Sequence, residues 1–540
     1  MQYRATTMGM NGMVTTPHYL ASQSALKVLQ QGGNAVEAAI AAASTIGVVY
    51  PHMNGIGGDN FWLIYNAKNG ELKGLNASGR AGENATIAFY KNQGYSTIPA
   101  RGALAANTVP GAVQGWSDAY AYSKAQMGGS LQWATLLQDA IHYAKDGFPA
   151  TPSQQHWTEV NLEDDEHFRA LQRFEEFSRI YLQDGKPVQA GDVFVQHDLA
   201  NTLQHIANDG AAYFYNVLAK DIVRDLQQHG GVLTEQDFAT HTSTWVDPLS
   251  VQYRGYRAYN LPPNTQGLAS LSILNILQNI DVASIPEGSA QYYHVVVEAI
   301  KRAFADRDQY VTDPEFYDIP VEELLSEARG KELAASIAVE MKELQPLDPK
   351  GDTVWFGIVD GEGNAVSFIQ SIYHEFGSGF IPSGTGVLLQ NRGSFFSLDE
   401  AHINHLQPHK RTFHTLNPAM LLKDGKPALV YGTMGGEGQP QTQAALVTRI
   451  IDYGMNVQEA IEAPRWLYGR TWGASSNTLK LESRISVHVQ QQLTEAGHEL
   501  EIMPPLTDVM GHAGAIWIDQ QTGVKFGGTD PRSDGAAVGY

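Results

Sequence analysis

The chain has 540 residues, of which 43% are hydrophobic and 10% aromatic, a composition typical of a packed globular protein rather than a disordered one. Lysine and arginine number 36 against 57 aspartates and glutamates, and the net charge of −21 disfavours binding to nucleic acid or to an anionic membrane surface. The sequence contains no cysteine, which excludes disulfides, thiolate metal ligands and cysteine nucleophiles.

Neither the start of the chain nor its longest apolar stretch has the pattern of a targeting or membrane segment. Met1 to Thr15 lacks the basic stretch and apolar run of a secretory signal. The stretch from Ala35 to Tyr50 contains Glu37 and is too short for a membrane span. We therefore expect a cytoplasmic protein with no membrane partner.

Helical periodicity dominates the first half of the chain. Tyr19–Gln31 has apolar residues at helical spacing and is followed by the stop signal Gly32-Gly33. Asn34 is placed to cap a second helix that runs through Ala43. Further amphipathic helices are predicted at Leu131–Lys145, Asp198–Asn208, Tyr215–His229, Ser289–Asp306 and Val321–Leu344.

Four hairpins are predicted, one in the first half of the chain and three in the second. Their strand pairs are Phe61–Tyr65 with Leu72–Leu75, Val354–Val359 with Ala365–Ser371, Ala419–Leu422 with Ala428–Tyr431, and Ala515–Ile518 with Val524–Phe526. Asn69-Gly70 and Asp424-Gly425 are strong two-residue turn signals. Helices combined with antiparallel hairpins predict the α+β class, with sheets sandwiched by helices. The polar segment Glu343–Asp352 is the best candidate for a boundary.

Gly351-Asp352-Thr353 places a threonine at the first position of a predicted strand, after a flexible polar segment. The hydroxyl of Thr353 can attack the carbonyl of Asp352, shift the peptide to an ester and be released by water, which leaves a free α-amino group on Thr353. That amine, with a pKa of about 8, can act as general base for its own hydroxyl. The alternative is an ordinary strand-initiating threonine, and the local sequence alone favours that alternative.

Two further features are compatible with a catalytic site. Gly435 and Gly436 follow a predicted strand and can turn two backbone N–H groups toward one point, as an oxyanion hole requires, but a tight turn has the same pattern. Arg80 and Arg392 both lie in glycine-flanked loops. Either arginine can bind a substrate carboxylate through two hydrogen bonds, or can form a structural ion pair.

Other sites have weaker support in the sequence. His402, His405, His409 and His414 suggest a metal site, but Pro408 interrupts any helix that would align them, so we expect a solvated loop and no metal. The cluster Gly55-Ile56-Gly57-Gly58 does not match a dinucleotide-binding fingerprint, and we interpret it as close backbone packing. A serine-hydrolase elbow, a P-loop and a zincin motif are all absent from the sequence.

An ordered set of motifs along nearly the whole chain resembles the gamma-glutamyltranspeptidase family of N-terminal-nucleophile hydrolases. The motifs are, in chain order, Gly12–His18, Gly32–Ala35, Gly55–Gly58, the Thr353 strand with Gly363–Val366, Phe376–Gly379, Gly435–Gly436 and Asp530–Arg532. Because the ordered set is far more specific than any single motif, it reverses the local preference and makes Thr353 the expected nucleophile.

The resemblance implies a four-layer αββα sandwich that needs no cofactor. It also implies self-cleavage into a large subunit, residues 1–352, and a small subunit, residues 353–540, which stay associated as one composite fold; a dimer of such heterodimers is one expected assembly. By position, Ser371 is a hydroxyl that assists Thr353, and Gly435 and Gly436 are the oxyanion donors. His414 and Thr415 fall where transpeptidases carry a serine pair near the substrate carboxylate.

The sequence departs from the transpeptidase pattern around the substrate. Tyr373, Arg392 and Phe395 stand where transpeptidases hold the glutamyl α-amino group with an asparagine, a glutamine and an aspartate. Ser78 aligns with the arginine that holds the α-carboxylate, and Arg80 lies two residues further on. An ammonium group would lose its anionic partner here and meet a cation, so the pocket favours a compact anion that lacks an amine.

With Arg392 and the string His414–Pro418, the chain resembles the oxamate amidohydrolase branch of the family. Our hypothesis is that Thr353 attacks the amide of oxamate or a similar small anionic amide, with Arg80 or Arg392 binding its carboxylate. Two alternatives remain: a glutathione hydrolase, γ-glutamyltransferase or related acylase with a rearranged pocket, and a non-catalytic binding protein whose chain stays intact.

Overall fold

Two antiparallel seven-stranded sheets form the centre of the computed structural model, which describes residues 4–162, 170–337, 353–469 and 478–540. Sheet A contains, in spatial order, Thr7–Gly9, Lys525–Thr529, Ala513–Ile518, Lys426–Thr433, Ala419–Lys423, Tyr256–Asn260 and Leu249–Tyr253. Sheet B contains, in spatial order, Ala536–Gly539, Met13–Thr16, Val354–Val359, Ala365–Ser371, Asp59–Asn66, Glu71–Ala77 and Thr244–Val246. The smaller sheets are built from Trp466–Tyr468, Leu479–Glu482 and Leu500–Met503, from Phe148–Pro149 and Val193–Phe194, and from Leu182–Gln183 and Lys186–Pro187.

Helices cover both outer faces of the paired sheets. The α-helices are Tyr19–Gln30, Ala35–Val49, Ile87–Asn92, Ala112–Gln126, Trp133–Leu136, Gln138–Asp146, Pro152–Val160, Glu175–Tyr181, His197–Asp209, Ala219–Gln228, Glu235–Ala239, Gly267–Leu277, Ala290–Tyr310, Val321–Leu324, Glu327–Ala335, Gly438–Val447, Val457–Glu462 and Val487–Glu495. Tyr213–Leu218 and Thr448–Asp452 are π-helical. No helix in the described ranges is long and apolar enough to cross a lipid bilayer.

Three apolar cores separate four layers, as the alternation along strand Val354–Val359 shows. Its residues Val354, Phe356 and Ile358 face a core shared with the helices Tyr19–Gln30 and Ala35–Val49. Its residues Trp355 and Val359 face the core between the two sheets. The opposite face of sheet A packs against a third core, which contains residues of helices 267–277, 290–310 and 438–447. The order is therefore helix, sheet, sheet, helix, and the expected α+β four-layer sandwich is confirmed.

All four predicted hairpins are present, and the two N-terminal helices lie where expected. Asn34 caps helix Ala35–Val49 by accepting hydrogen bonds from the backbone of Val36 and Glu37, and the Glu37 side chain bonds back to Asn34 in a capping box. The predicted turns contain left-handed residues, with φ of 73° at Gly70 and 77° at Gly425.

Three predicted helices differ from the structure. The segment predicted as Leu131–Lys145 is two helices that meet at Leu137, and nothing in the structure explains the break. The segment predicted as Tyr215–His229 begins as a π-helix. The segment predicted as Val321–Leu344 contains two helices, because the Ser326 side chain accepts from the Arg329 backbone and caps a new helix. Its last residues, with the expected boundary Glu343–Asp352, lie outside the described residues.

Sheet B contains strands from both sides of Thr353, and strands from the two sides pair directly with each other. In sheet B, strand Val354–Val359 pairs with Met13–Thr16, and strand Ala365–Ser371 pairs with Asp59–Asn66. Hydrogen bonds of this kind join residues hundreds of positions apart in sequence, so a chain cut before Thr353 keeps both pieces in one sheet.

Candidate active site

Thr353, Ser371 and Asp59 lie side by side at one end of sheet B. Ser371 pairs directly with Asp59 on the neighbouring strand. On the other edge of the Ser371 strand, Val354 pairs with Gln370. The next residue of each strand follows the same register, so Thr353 lies opposite Ser371. Directly opposite residues of antiparallel strands share a face, so the three side chains point the same way.

The shared face is the one between the two sheets. Trp355 and Phe61, each two residues along its strand from Thr353 or Asp59, both belong to the core between the sheets. Since side chains alternate along a strand with a period of two, Thr353 and Asp59 also face the space between the sheets. The row therefore faces sheet A, where strand Lys426–Thr433 leads into Gly435 and Gly436.

Thr353 is completely buried, and Gln439 contacts its hydroxyl. Nε2 of Gln439 donates to Oγ1 of Thr353 at 3.4 Å, and Oε1 of Gln439 accepts from the backbone N–H of Asn417 at 3.3 Å. Gln439 lies in the first turn of helix Gly438–Val447, directly after the glycine pair. The same turn therefore fixes the hydroxyl of Thr353 relative to the glycine loop.

The glycine pair leaves two backbone N–H groups without an acceptor among the described residues, as an oxyanion hole requires. Gly435 and Gly436 have φ of 113° and 51°, conformations that favour glycine. Neither donates its backbone N–H to another of the described residues. The carbonyl of Gly436 accepts from Nε2 of Gln266 at 2.8 Å, and the same nitrogen donates to the carbonyl of Thr415 at 2.7 Å. Gln266 thus braces the loop against the segment that carries Thr415.

Arg392 is buried beside Ser371, Tyr373 and Thr415. Its Nη1 donates to Oγ1 of Thr415 at 3.2 Å, its Nη2 donates to Oγ of Ser371 at 3.5 Å, and its guanidinium carbon lies 4.3 Å from the ring centroid of Tyr373. Its Nε has no hydrogen-bond partner, and no carboxylate within the described segments forms an ion pair with it. Burial lowers the pKa of Arg392 to about 10, so it is still a cation near neutral pH.

His414 is fully buried, which corrects the expected solvated loop at that position. The expectation holds for His402, His405 and His409, which are at least partly exposed. The backbone N–H of His414 instead donates to the carbonyl of Asn264 at 2.8 Å, which draws this part of the chain into the interior. Burial holds the pKa of His414 well below its usual value, so the imidazole is neutral.

Asp59 is a buried carboxylate that the sequence analysis missed. Its Oδ1 accepts from the backbone N–H groups of Gly79 at 2.9 Å and Gly111 at 3.1 Å and from Nε2 of Gln390 at 3.0 Å. Its Oδ2 lies 3.3 Å from Nε2 of His414. Burial raises the pKa of Asp59 to about 6 despite these donors. The signal that could have found it is an acidic residue at the start of a strand whose centre, Phe61 to Tyr65, is apolar and aromatic.

The glycine cluster before Asp59 fits the interpretation of close backbone packing. A Cβ atom on Gly57 would lie 2.2 Å from the carbonyl oxygen of Leu388, and one on Gly58 would lie 2.1 Å from that of Ser371. A side chain at Gly58 would push the Ser371 strand away from the Asp59 strand. The absence of one therefore allows the row of site residues to form.

The side chain of Arg80 pairs with Glu315, and in the described part of the chain it forms no ion pair or hydrogen bond with the residues around Arg392. Its Nη2 lies 2.6 Å from Oε1 of Glu315, a side chain that is about half exposed. Arg411 binds the same carboxylate oxygen at 3.4 Å. The structure therefore brings together Thr353, Ser371, Tyr373, Arg392 and Thr415, and it leaves Arg80 in a surface ion pair. Asp352 lies outside the described residues.

One group of potential metal ligands occurs elsewhere in the described part of the chain. Side-chain ligand atoms of His294, Glu298 and His498 lie within 4.8 Å of one another. The two carboxylate oxygens of Glu298 lie 2.9 Å from Lys301 and 2.8 Å from Arg302, and Nδ1 of His294 lies 2.9 Å from Nε2 of His498. The group thus has protein partners of its own and includes no residue of the Arg392 site.

Comparisons with known proteins agree with this geometry. The family model described as Gamma-glutamyltranspeptidase matches residues 21–540. The chain is 47% identical to the glutathione hydrolase-like YwrD proenzyme of Bacillus subtilis over 535 residues, which cover 99% of each chain. It is also 47% identical to the oxamate amidohydrolase proenzyme of Klebsiella pneumoniae over 541 residues, which cover 99% of this chain and 100% of that one.

Among solved structures, the fold is similar to that of cephalosporin acylase from Bacillus halodurans, with a TM-score of 0.91, 37% identity and coverage of 100% of this chain and 98% of that one. Sequence and fold therefore agree over the full length of the chain. The protein is an enzyme of the gamma-glutamyltranspeptidase family, whose members hydrolyse amide bonds on an N-terminal-nucleophile hydrolase fold.

Proposed function

We propose that the chain cleaves itself before Thr353 and then hydrolyses a small anionic amide such as oxamate, with Thr353 as nucleophile. The observation that carries the proposal is Arg392, a buried cation that contacts Ser371 and Thr415 and has no carboxylate partner among the described residues. Asp59 acts on this guanidinium only through space, without a direct ion pair. Since burying a charge without such a pair is costly, a substrate carboxylate is the natural direct counter-ion for Arg392. Ser371 lies between that counter-ion site and Thr353.

In the proposed self-cleavage, the hydroxyl of Thr353 attacks the carbonyl carbon of Asp352 and the peptide becomes an ester. Water then hydrolyses the ester, which frees the carboxyl group of Asp352 and the α-amino group of Thr353. The subunits, residues 1–352 and 353–540, stay together because strands from both pair within sheet B. Both relatives named above are proenzymes, which supports a processed precursor.

In the proposed reaction, the α-amino group of Thr353 takes the proton from Oγ1, which bonds to the amide carbon of the substrate. The N–H groups of Gly435 and Gly436 stabilise the negative charge that develops on the amide oxygen. The carbon–nitrogen bond breaks, and the nitrogen leaves as ammonia after it receives that proton. Water, deprotonated by the same amine, then hydrolyses the acyl-enzyme, and oxalate leaves.

Arg392 also bears on the alternative substrates. A γ-glutamyl group carries an ammonium, which would approach the guanidinium of Arg392, the cation that contacts Ser371 and Thr415. Like charges in a buried site repel, so this pocket favours oxamate over glutathione. Glutathione hydrolysis, γ-glutamyl transfer and a related acylase activity remain the alternatives, and the names of the relatives include both types of hydrolase. The cytoplasmic location and the dimer of heterodimers stay predictions.

Parallel assays with oxamate and a γ-glutamyl anilide test the proposed substrate. We expect ammonia release from oxamate and slow release of the aniline. Thr353→Ala is expected to abolish turnover, whereas Thr202→Ala, which removes a buried hydroxyl bonded to the carbonyl of Thr385, is expected to retain it. Rapid glutamyl release with no ammonia from oxamate would refute the substrate and leave the nucleophile in place.

A further inference from the structure

Asp59 places a negative charge next to the cation that the proposed function assigns to the substrate. Ser371 links the two, because its hydroxyl accepts from Arg392 and its backbone pairs with Asp59. Both charged side chains are almost completely buried. At such positions the effective dielectric constant is far below that of water, so each charge strongly affects the other.

The hydrogen bonds around Asp59 favour its ionised, negatively charged form. The backbone N–H of Leu416 points at Nδ1 of His414 at 3.4 Å, so Nδ1 is the acceptor and Nε2 carries the proton. Nε2 therefore donates to Oδ2 of Asp59, and His414 is neutral. With three further donors on Oδ1, every polar contact of Asp59 favours the ionised carboxylate.

We infer that Asp59 sets the affinity of the pocket for anions: it is the internal counter-charge of Arg392 and limits how tightly an anionic amide binds. The inference rests on the proposed function. A substrate carboxylate that reaches Arg392 also comes close to Asp59, and the repulsion between the two anions weakens binding. Neutralising Asp59 is therefore expected to strengthen the binding of an anionic substrate.

The pKa of Asp59, raised by burial to about 6, makes this effect visible in the pH dependence. The other titratable or charged groups near Asp59 are Arg392 and Arg411, which stay cationic, His414, which stays neutral, and Tyr215, whose pKa burial raises. As the pH falls through about 6, Asp59 takes up a proton from solvent and the KM for oxamate is expected to fall. The KM for oxamide, a neutral amide of nearly the same shape, is expected to stay level.

Asp59→Asn removes the negative charge and keeps most of the hydrogen bonds, because the amide oxygen can still accept from Gly79, Gly111 and Gln390. We expect this variant to lower the KM for oxamate about fivefold at pH 7.5, from the Coulomb attraction that Arg392 regains, and to leave the KM for oxamide within about twofold. The pH dependence of the oxamate KM between pH 5 and 7.5 is expected to disappear.

Asp313→Asn is the matched control. Asp313 is also a buried carboxylate that accepts backbone N–H groups, from Arg411 and Glu315, and has no contact with Arg392. We expect this variant to keep the wild-type KM for both amides and the wild-type pH dependence.

An unchanged or raised oxamate KM in Asp59→Asn, with an active wild type, would overturn this inference alone. If Asp59→Asn does not fold, the pH series on the wild type decides, since an oxamate KM that does not fall below pH 6 contradicts the inference. A wild type that hydrolyses neither amide would overturn the proposed function and this inference with it.

Discussion

Two buried regions of the molecule contain arginines in contrasting surroundings. In the first, Arg465 lies 2.6 Å from Asp530, and Arg532 lies 2.9 Å from Asp530 and 2.7 Å from Glu482. In the second, Arg392 meets only hydroxyl groups and an aromatic ring. In the first region carboxylates pair directly with the arginines, whereas in the second region the Asp59 carboxylate acts on Arg392 without a direct ion pair.

Other buried arginines follow the pattern of the first region. Arg307 lies 2.6 Å from Glu437, and Arg449 lies 2.9 Å from Glu287. For these four arginines, Arg465, Arg532, Arg307 and Arg449, the folded chain supplies a directly paired carboxylate. Arg392 differs from the four and lies next to the residues expected to carry the chemistry, and perturbed charges of this kind are common at functional sites. The contrast is what the proposed function predicts if Arg392 binds a substrate carboxylate.

The largest expected effect concerns Arg392→Gln. We expect the kcat/KM for oxamate to fall about a thousandfold, because a buried charge-assisted contact with the substrate is lost. The kcat/KM for neutral oxamide is expected to change far less, and ammonia release measures both. An equal loss for the two amides would mean that Arg392 supports the structure, as Arg465 does.

Asp530→Asn tests the first region, in which Arg465 and Arg532 pair with carboxylates. It removes the carboxylate that pairs with buried Arg465 and leaves Arg532 with Glu482 alone, so we expect the free energy of unfolding to fall by about 3 kcal/mol. Denaturant titration measures this, with Arg392→Gln as the contrasting variant, expected within about 1 kcal/mol of wild type because no direct ion pair is broken. A large loss of stability in Arg392→Gln would contradict the distinction between the two regions.

The pH dependence of stability is the next smaller effect. The cations Arg465 and Arg532 hold the pKa of Asp530 below its usual value, against the effect of burial. A lowered folded-state pKa gives stability that is present above the unfolded-state value and lost as the pH falls below it. We therefore expect the stability gap between wild type and Asp530→Asn to shrink below about pH 4, by up to about 1.4 kcal/mol per pH unit. A constant gap would show that Asp530 acts through shape and not charge.

The smallest expected effect is that of Arg80→Ala. Its side chain is partly exposed and paired with Glu315, and such surface pairs contribute little. We expect the kcat/KM for oxamate to change less than about threefold. A loss as large as that in Arg392→Gln would make Arg80 a second residue that binds the substrate carboxylate.

The sequence was sufficient for features that depend on local patterns. Asn34 and the turn at Asn69-Gly70 follow local chemistry, and the predicted helix and hairpin formed at each. The family motifs pointed to Thr353, Ser371, Arg392 and Thr415, and the structure brings these residues together. Their roles stay proposals.

The remaining features depend on contacts between distant parts of the chain. Asp59 meets His414 across 355 positions, and Gln439 meets Thr353 across 86, so no local pattern marks either contact. His414 resembled its exposed neighbours in sequence, and it is buried by contacts with distant residues, including Asn264 and Phe61. The choice between Arg80 and Arg392 depended on where Glu315 lies, which the sequence does not show.

The proposed amidase activity requires that Thr353 become the first residue of a new subunit. An intact-mass measurement tests this most directly. We predict that the purified wild type consists of two fragments that meet between Asp352 and Thr353, and that Thr353→Ala is a single uncut chain with no amidase activity. A wild type that stays uncut while it releases ammonia from oxamate would contradict the account.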